Sequence, residues 1–190
     1  MKVLQGQHRA TLWLKFVKRA LAEENLGYRV DDRGGIHPLV DVEFEAQRVA
    51  VIQVLSAERY RATLEAFEGA HEALERDPPD TKEAVRDVFG AIENLFKLMA
   101  GGKSPRLASA EVKKHLPAML DGHYTDNTAR SAAGRMMDSL CDWVDGAHWY
   151  RHEQGQPDPA PPPIHLCVTI MSTGAGYLRW LAEIDKALSP

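Results

Sequence analysis

Cysteine is scarce in this chain: Cys141 and Cys167 are the only two among 190 residues. Two thiols build no disulfide framework, so an apolar core has to hold the fold, and a reducing cytoplasm is the expected location. Long apolar runs are missing as well. None approaches the roughly 20 residues of a membrane-spanning helix, and the first residues lack the apolar stretch and small-residue cleavage site of a secretory signal, so no membrane partner is expected. A net positive charge is also absent. Lys and Arg total 23 against 27 Asp and Glu, a formal charge of -4, which excludes the whole chain as an electrostatic nucleic-acid binder. There is no internal repeat, and no low-complexity tract beyond Pro161-Pro162-Pro163. Gly34-Gly35 lacks the Lys-Ser/Thr sequel of a phosphate loop, and no cofactor is expected.

What the chain has in quantity is helical periodicity. The length suits one domain with a real core. Residues 9–25 place Leu12, Phe16, Val17, Ala20 and Leu21 near one face, with Gly27 as a stop. Tyr28-Arg29-Val30 and Ile36-His37-Pro38-Leu39 flank a Gly-Gly turn and read as a small β-hairpin near residues 28–39, its second arm confined to an edge by Pro38. The helical period returns from Asp41, and a further stripe carries Tyr60, Leu64, Phe67, His71 and Leu74 at spacings of three and four. Asp80 and Glu83 resemble a capping box ahead of the strongest stripe, Val85, Val88, Phe89, Ile92, Leu95, Phe96 and Met99. Gly101-Gly102 ends it. A shorter helix over 107–120 is expected to bend at Pro117. A long one follows the polar stretch 121–128 and carries Ala133, Met137, Leu140, Cys141, Val144 and His148 on one side. After a Gly/Pro-rich loop the last helix is expected to start within the three prolines. The reading is an all-α fold: a bundle of six or seven helices with one small hairpin, forming a single domain over 1–190.

Charge is uneven along this bundle. Residues 1–20 hold Lys2, Arg9, Lys15, Lys18 and Arg19 and no acid, a first helix able to track phosphates, to dock on the acidic remainder, or simply to be solvated. Chemistry is densest at His148-Trp149-Tyr150-Arg151-His152. Spacings of three and four put His148, Arg151 and His152 on one helical face. Val144 continues that face toward the core, so the cluster is expected at the rim of the bundle. Histidine transfers protons near neutral pH, and arginine binds phosphate through two parallel hydrogen bonds, which together suit metal-free RNA cleavage. Asp145, His148 and His152 could instead approach a metal ion, with His165 and Cys167 on the facing helix, although the adjacent arginine opposes a cation and no metal is assigned. The plainer alternative is structural: a core-edge histidine, with Arg151 and His152 capping the last carbonyls of their helix. Trp143, Trp149, Trp180 and Tyr150 form either a base-stacking platform or core filler. Cys141, on an apolar stripe, reads as a buried inert thiol, His71 as a packed histidine, and Gly174 and Gly176 as sites of close helix packing.

The segment Trp149-Tyr150-Arg151-His152-Glu153-Gln154-Gly155, before a Pro-rich loop and an apolar final helix, resembles the HEPN superfamily, and in particular HEPN-like C-terminal domains linked to bacterial abortive infection. The resemblance rests on under a tenth of the chain. In the active family motif several residues separate the arginine from the histidine. Here His152 follows Arg151 directly, which keeps His148 as a further candidate. The resemblance implies a metal-independent endoribonuclease, a homodimer with the Arg-His motif facing its symmetry mate, and a role in phage defence, stress or a toxin–antitoxin pair. RNA and a protein partner or antitoxin are the implied partners. Arg151, His152 and His148 are the implied catalytic residues. Some family members act only as binding or dimerisation modules, so a non-catalytic interaction domain is the competing expectation and a helical-bundle metalloprotein the third.

Overall fold

A computed structural model describes residues 2–24, 28–31, 33–38, 40–103, 106–151 and 160–188. The expected stop at Gly27 and the loop from His152 to Pro159 lie outside them. Among the described residues the chain is all-α, with seven α-helices, one short 3-10 turn at Glu58–Tyr60 and two three-residue strands. Among the described residues no helix is long and apolar enough to cross a membrane. The chain divides into two compact units, 1–46 and 47–190.

The first unit holds α1 (Lys2–Glu23) and two strands, β1 (Tyr28–Val30) and β2 (Ile36–Pro38). The strands pair antiparallel with Tyr28 opposite Pro38 and Val30 opposite Ile36. Asp31 organises the turn between them: its Oδ1 accepts the N–H groups of Arg33 and Gly35, each at 2.8 Å. Such side-chain-to-backbone bonds are why Asp favours turns. Asp41 then caps α2 (Val42–Val54), accepting the Phe44 N–H at 2.6 Å.

In the second unit α4 (Thr81–Met99) is the central helix. It packs against α3 (Arg61–Leu74), α6 (Asn127–Arg151) and α7 (Ile164–Leu188), while α5 (Ser109–His123) packs on α6 and α7. Val85, Val88, Phe89, Ile92, Leu95 and Phe96 are all fully buried. At about 1.5–3 kcal/mol for each large side chain, this stripe supplies much of the core. Asp80 does cap α4, its Oδ1 accepting the Glu83 N–H at 2.9 Å. The reciprocal half of the capping box is absent, because the Glu83 carboxylate pairs with Arg76 and the Asp80 N–H donates to Ala73. Gly101 and Gly102 end α4 with φ of 58° and 73°, conformations that glycine adopts without a Cβ clash. α5 runs through Pro117 without a break. α7 starts just after the three prolines, and the Pro163 carbonyl accepts the first-turn N–H groups of Leu166 and Cys167.

A buried carboxylate ties the start of α3 to the end of α7. Asp185 accepts from Arg59 at 2.8 and 3.0 Å and from the Tyr60 hydroxyl at 2.8 Å. Burial, reinforced by the bond to Asp185, pushes the Tyr60 phenol up to about 12. His71 is buried against the Phe67 ring at 4.8 Å, in keeping with a packed histidine.

The two glycines of α7 differ. A Cβ at Gly174 would lie 2.9 Å from Val88 Cγ2 and 3.1 Å from Trp143 Cζ2, whereas one at Gly176 meets nothing within 4 Å. Close packing therefore explains only Gly174. Gly174→Ala should destabilise the protein by about 1–2 kcal/mol through overpacking. Gly176→Ala should stabilise it by about 0.5–1 kcal/mol through helix propensity. Urea midpoints that move in opposite directions for the two variants are the expected result.

Candidate functional site

The last two turns of α6 form one wall of a recess of about 340 Å³, lined by Val144, Asp145, His148 and Arg151, with Arg106, Leu107 and Ala108 opposite. Helical spacing had placed Val144, His148 and Arg151 on one face at the rim, and this is where they meet. Val144 is 2% exposed and belongs to the core, while His148 is exposed. His152, the remaining candidate catalytic residue, lies outside the described residues.

Arg151 is held from two sides. Its Nη2 donates to Glu93 Oε2 at 3.0 Å, and its guanidinium carbon lies 4.4 Å from the centre of the Phe89 ring. Phe89 and Glu93 are one turn apart on α4, so a single face of that helix supplies both the π surface and the carboxylate. The side chain keeps 25% of its exposure and Glu93 only 12%. Arg151 thus binds α4, rather than capping the last carbonyls of its own helix. Only Nη2 is committed to Glu93, and a guanidinium carries five N–H donors.

Glu93 has two further partners. Its Oε1 accepts the Leu107 N–H at 2.9 Å, and Lys97 Nζ lies 3.6 Å from Oε2. A carboxylate so enclosed loses hydration that only several donors can replace. Because those donors come from α4, α6 and the connector before α5, the same carboxylate assembles both walls of the recess.

Ser109, at the start of α5, lies next to the mouth. Its Oγ is 2.7 Å from Asp145 Oδ1 and 3.1 Å from the Cys141 carbonyl. Asp145 is therefore engaged with a hydroxyl. Among the described residues no three His, Cys, Asp or Glu side chains gather to hold a metal ion. Cys167 is fully buried, with its Sγ 3.6 Å from the Thr81 carbonyl, and burial pushes its thiol up to about 12. Burial raises the Cys141 thiol too. Neither sulfur is poised as a nucleophile or ligand.

Of the four aromatic residues, Trp143 is half-buried and packed against the core: it stacks on Phe89 at 5.9 Å and donates its Nε1–H to the Ile170 carbonyl at 3.1 Å. Trp149 is 74% exposed beside the recess. Glu93, Arg106 and Ser109 escaped sequence reading. For Glu93 a signal did exist, an acid set among Phe89, Ile92, Leu95 and Phe96, where an unpaired charge would be costly. Arg106 and Ser109 carried none, since only tertiary packing brings the connector to α6.

No family model, curated protein or solved structure matches the chain.

Glu93→Gln keeps the side-chain shape and removes the charge. In a double-mutant cycle with Arg151→Gln, measured by chemical denaturation, the coupling energy should be about 1–3 kcal/mol. A value near zero would mean that Arg151 is held by Phe89 alone.

Proposed function

We propose that this chain is a HEPN-like bacterial defence or stress protein acting in the cytoplasm as a metal-independent endoribonuclease, with the α6 recess as its phosphate site. The observation that carries the reading is the convergence of Arg106, His148 and Arg151 on one recess. Cleavage of RNA without a metal ion needs a base for the 2′-hydroxyl proton, an acid for the leaving 5′-oxygen, and fixed cations for the charge that develops on the phosphoryl oxygens. His148 is one proton carrier, and His152, next to Arg151 in sequence, is the other. Arg151, with its orientation set by Glu93 and Phe89, presents its remaining donors to the phosphate, and Arg106 adds a second charge from the opposite wall. Holding the guanidinium in advance lowers the cost of ordering it when substrate arrives.

One observation favours a second reading, a non-catalytic dimerisation or protein-interaction module with an antitoxin-like or identical partner. The Arg151 charge is already compensated by Glu93, which leaves less of it for a substrate phosphate.

Labelled total RNA incubated in EDTA separates the two. Cleavage should persist in EDTA and fall by about 100-fold or more in His148→Ala and in His152→Ala. Arg151→Lys keeps a charge for Glu93 but loses the planar fork, and should reduce cleavage by about 10²–10³. Circular dichroism should show all three variants folded. A folded wild type that leaves RNA intact would support the interaction module instead. Light scattering should give a homodimer mass, and a monomer at every accessible concentration would remove dimerisation from both readings.

A further inference from the structure

Exposed large apolar side chains gather in the first unit. On α1, Leu12, Trp13 and Phe16 keep 52%, 53% and 59% of their exposure. Spacings of one, three and four make these residues neighbours on the helix surface, so they form one patch. The helix docks by another side: Leu14, Val17 and Leu21 are partly buried, and α1 packs on β1. The Trp13 ring reaches toward the hairpin turn, where a Cβ on Gly34 would lie 4.0 Å from it. The patch is what remains of the apolar surface of α1 after the unit has packed.

Charge specifies what the patch meets. Arg9 stands three and four residues before Leu12 and Trp13, Lys15 three after Leu12, and Arg19 three after Phe16, so a cation adjoins each apolar member. All three cations are exposed. The Arg19 guanidinium carbon lies 5.9 Å from the centre of the Phe16 ring, and its 3.6 Å contact with Glu23 joins two exposed side chains, a weak pairing that another anion readily replaces. No Asp or Glu precedes Glu23 in the chain. Long cations around an apolar centre that carries an indole suit a surface that is anionic outside and hydrocarbon beneath. The stems of Lys and Arg follow the apolar layer while their charges stay at headgroup level, and tryptophan favours that boundary. Size leads to the same partner. About half of three large side chains is on the order of 300 Å², against roughly 800 Å² on each side of a stable protein interface. This patch alone does not hold a second copy of the chain, whereas a helix lying in a bilayer surface needs no shaped partner and no spanning length.

We infer that α1 is an in-plane anchor for an anionic phospholipid surface, with Leu12, Trp13 and Phe16 inserted below the headgroups and Arg9, Lys15 and Arg19 against their phosphates. The anchor lies wholly within residues 1–46 and does not depend on the His148 recess being catalytic.

The test is flotation of the full chain with vesicles of phosphatidylcholine alone and with vesicles of two parts phosphatidylcholine to one part phosphatidylglycerol. The anionic vesicles should bind the chain about tenfold or more tightly than the zwitterionic ones. Brominated acyl chains in the anionic vesicles should quench the fluorescence of the wild type more than that of Trp13→Phe. Leu12→Gln combined with Phe16→Gln changes exposed positions only, so circular dichroism should show the fold retained while binding weakens by about tenfold or more. Arg9→Gln combined with Lys15→Gln should weaken binding by about tenfold or more. His148→Ala should bind as the wild type does, so loss of cleavage and loss of this anchor are separable. Absence of binding to anionic vesicles, equal binding to both kinds, or unchanged binding in the Leu12→Gln, Phe16→Gln variant would overturn the inference. So would a lipid-free dimer that the same variant converts to a monomer, which would assign the patch to a second copy.

Discussion

The pairing of Glu93 with Arg151 is the interaction on which the candidate site depends. Glu93 lies beside the most buried stripe of α4, where an unpaired carboxylate would be strongly disfavoured. Its position is tenable because Arg151, Lys97 and the Leu107 N–H surround it. Each donor belongs to a different turn or segment, so satisfying one charge also fixes where the end of α6 and the connector before α5 meet. The recess follows from electrostatic necessity in the core as much as from apolar packing. Arg151 stands in its lining for the same reason, because it answers the Glu93 carboxylate.

Asp185 plays the corresponding part at another end of the bundle. It too is a buried carboxylate that draws donors from a distant element, in this case Arg59 and Tyr60. The difference lies in what surrounds the arginine. Arg59 takes both of its Asp185 bonds through Nε and Nη2, a bidentate clamp that joins the 3-10 turn before α3 to α7. Arg151 gives Glu93 a single N–H and rests its plane on Phe89, which holds the group while leaving most of its donors to a ligand. Of the two otherwise similar ion pairs, the Arg151 pair is therefore better suited to chemistry and the Arg59 pair to structure.

Much of this was legible in the chain. The stripes of α3, α4 and α6 follow from spacings of three and four, and most of the residues they nominate are buried, with His148 exposed at the end of its stripe. His148 and Arg151 meet Val144 on one face because a helix gives them no alternative. Local chemistry misleads where a side chain has a competing partner. Glu83 is three residues beyond Asp80, yet it turns to Arg76 and leaves the capping box half made. Gly174 and Gly176 look equivalent in sequence, and only the positions of Val88 and Trp143 distinguish them. The tryptophans are likewise indistinguishable by type: Trp143 stacks on Phe89 of α4, whereas Trp180 lines a groove.

By itself, then, the sequence determined the all-α class, the central place of α4, the inert character expected of a cysteine on an apolar stripe, and the shared face of His148 and Arg151. All of these are consequences of period and residue type over a few turns. Tertiary structure alone decided that Arg151 answers Glu93, that Arg106 lines the same recess while Ser109 bonds Asp145, and that Trp180 and Arg179 line a groove with Gln53. Those relations join positions tens of residues apart, and they are set by how helices pack and by which buried charges must be matched. Neither is written in the spacing of any one segment.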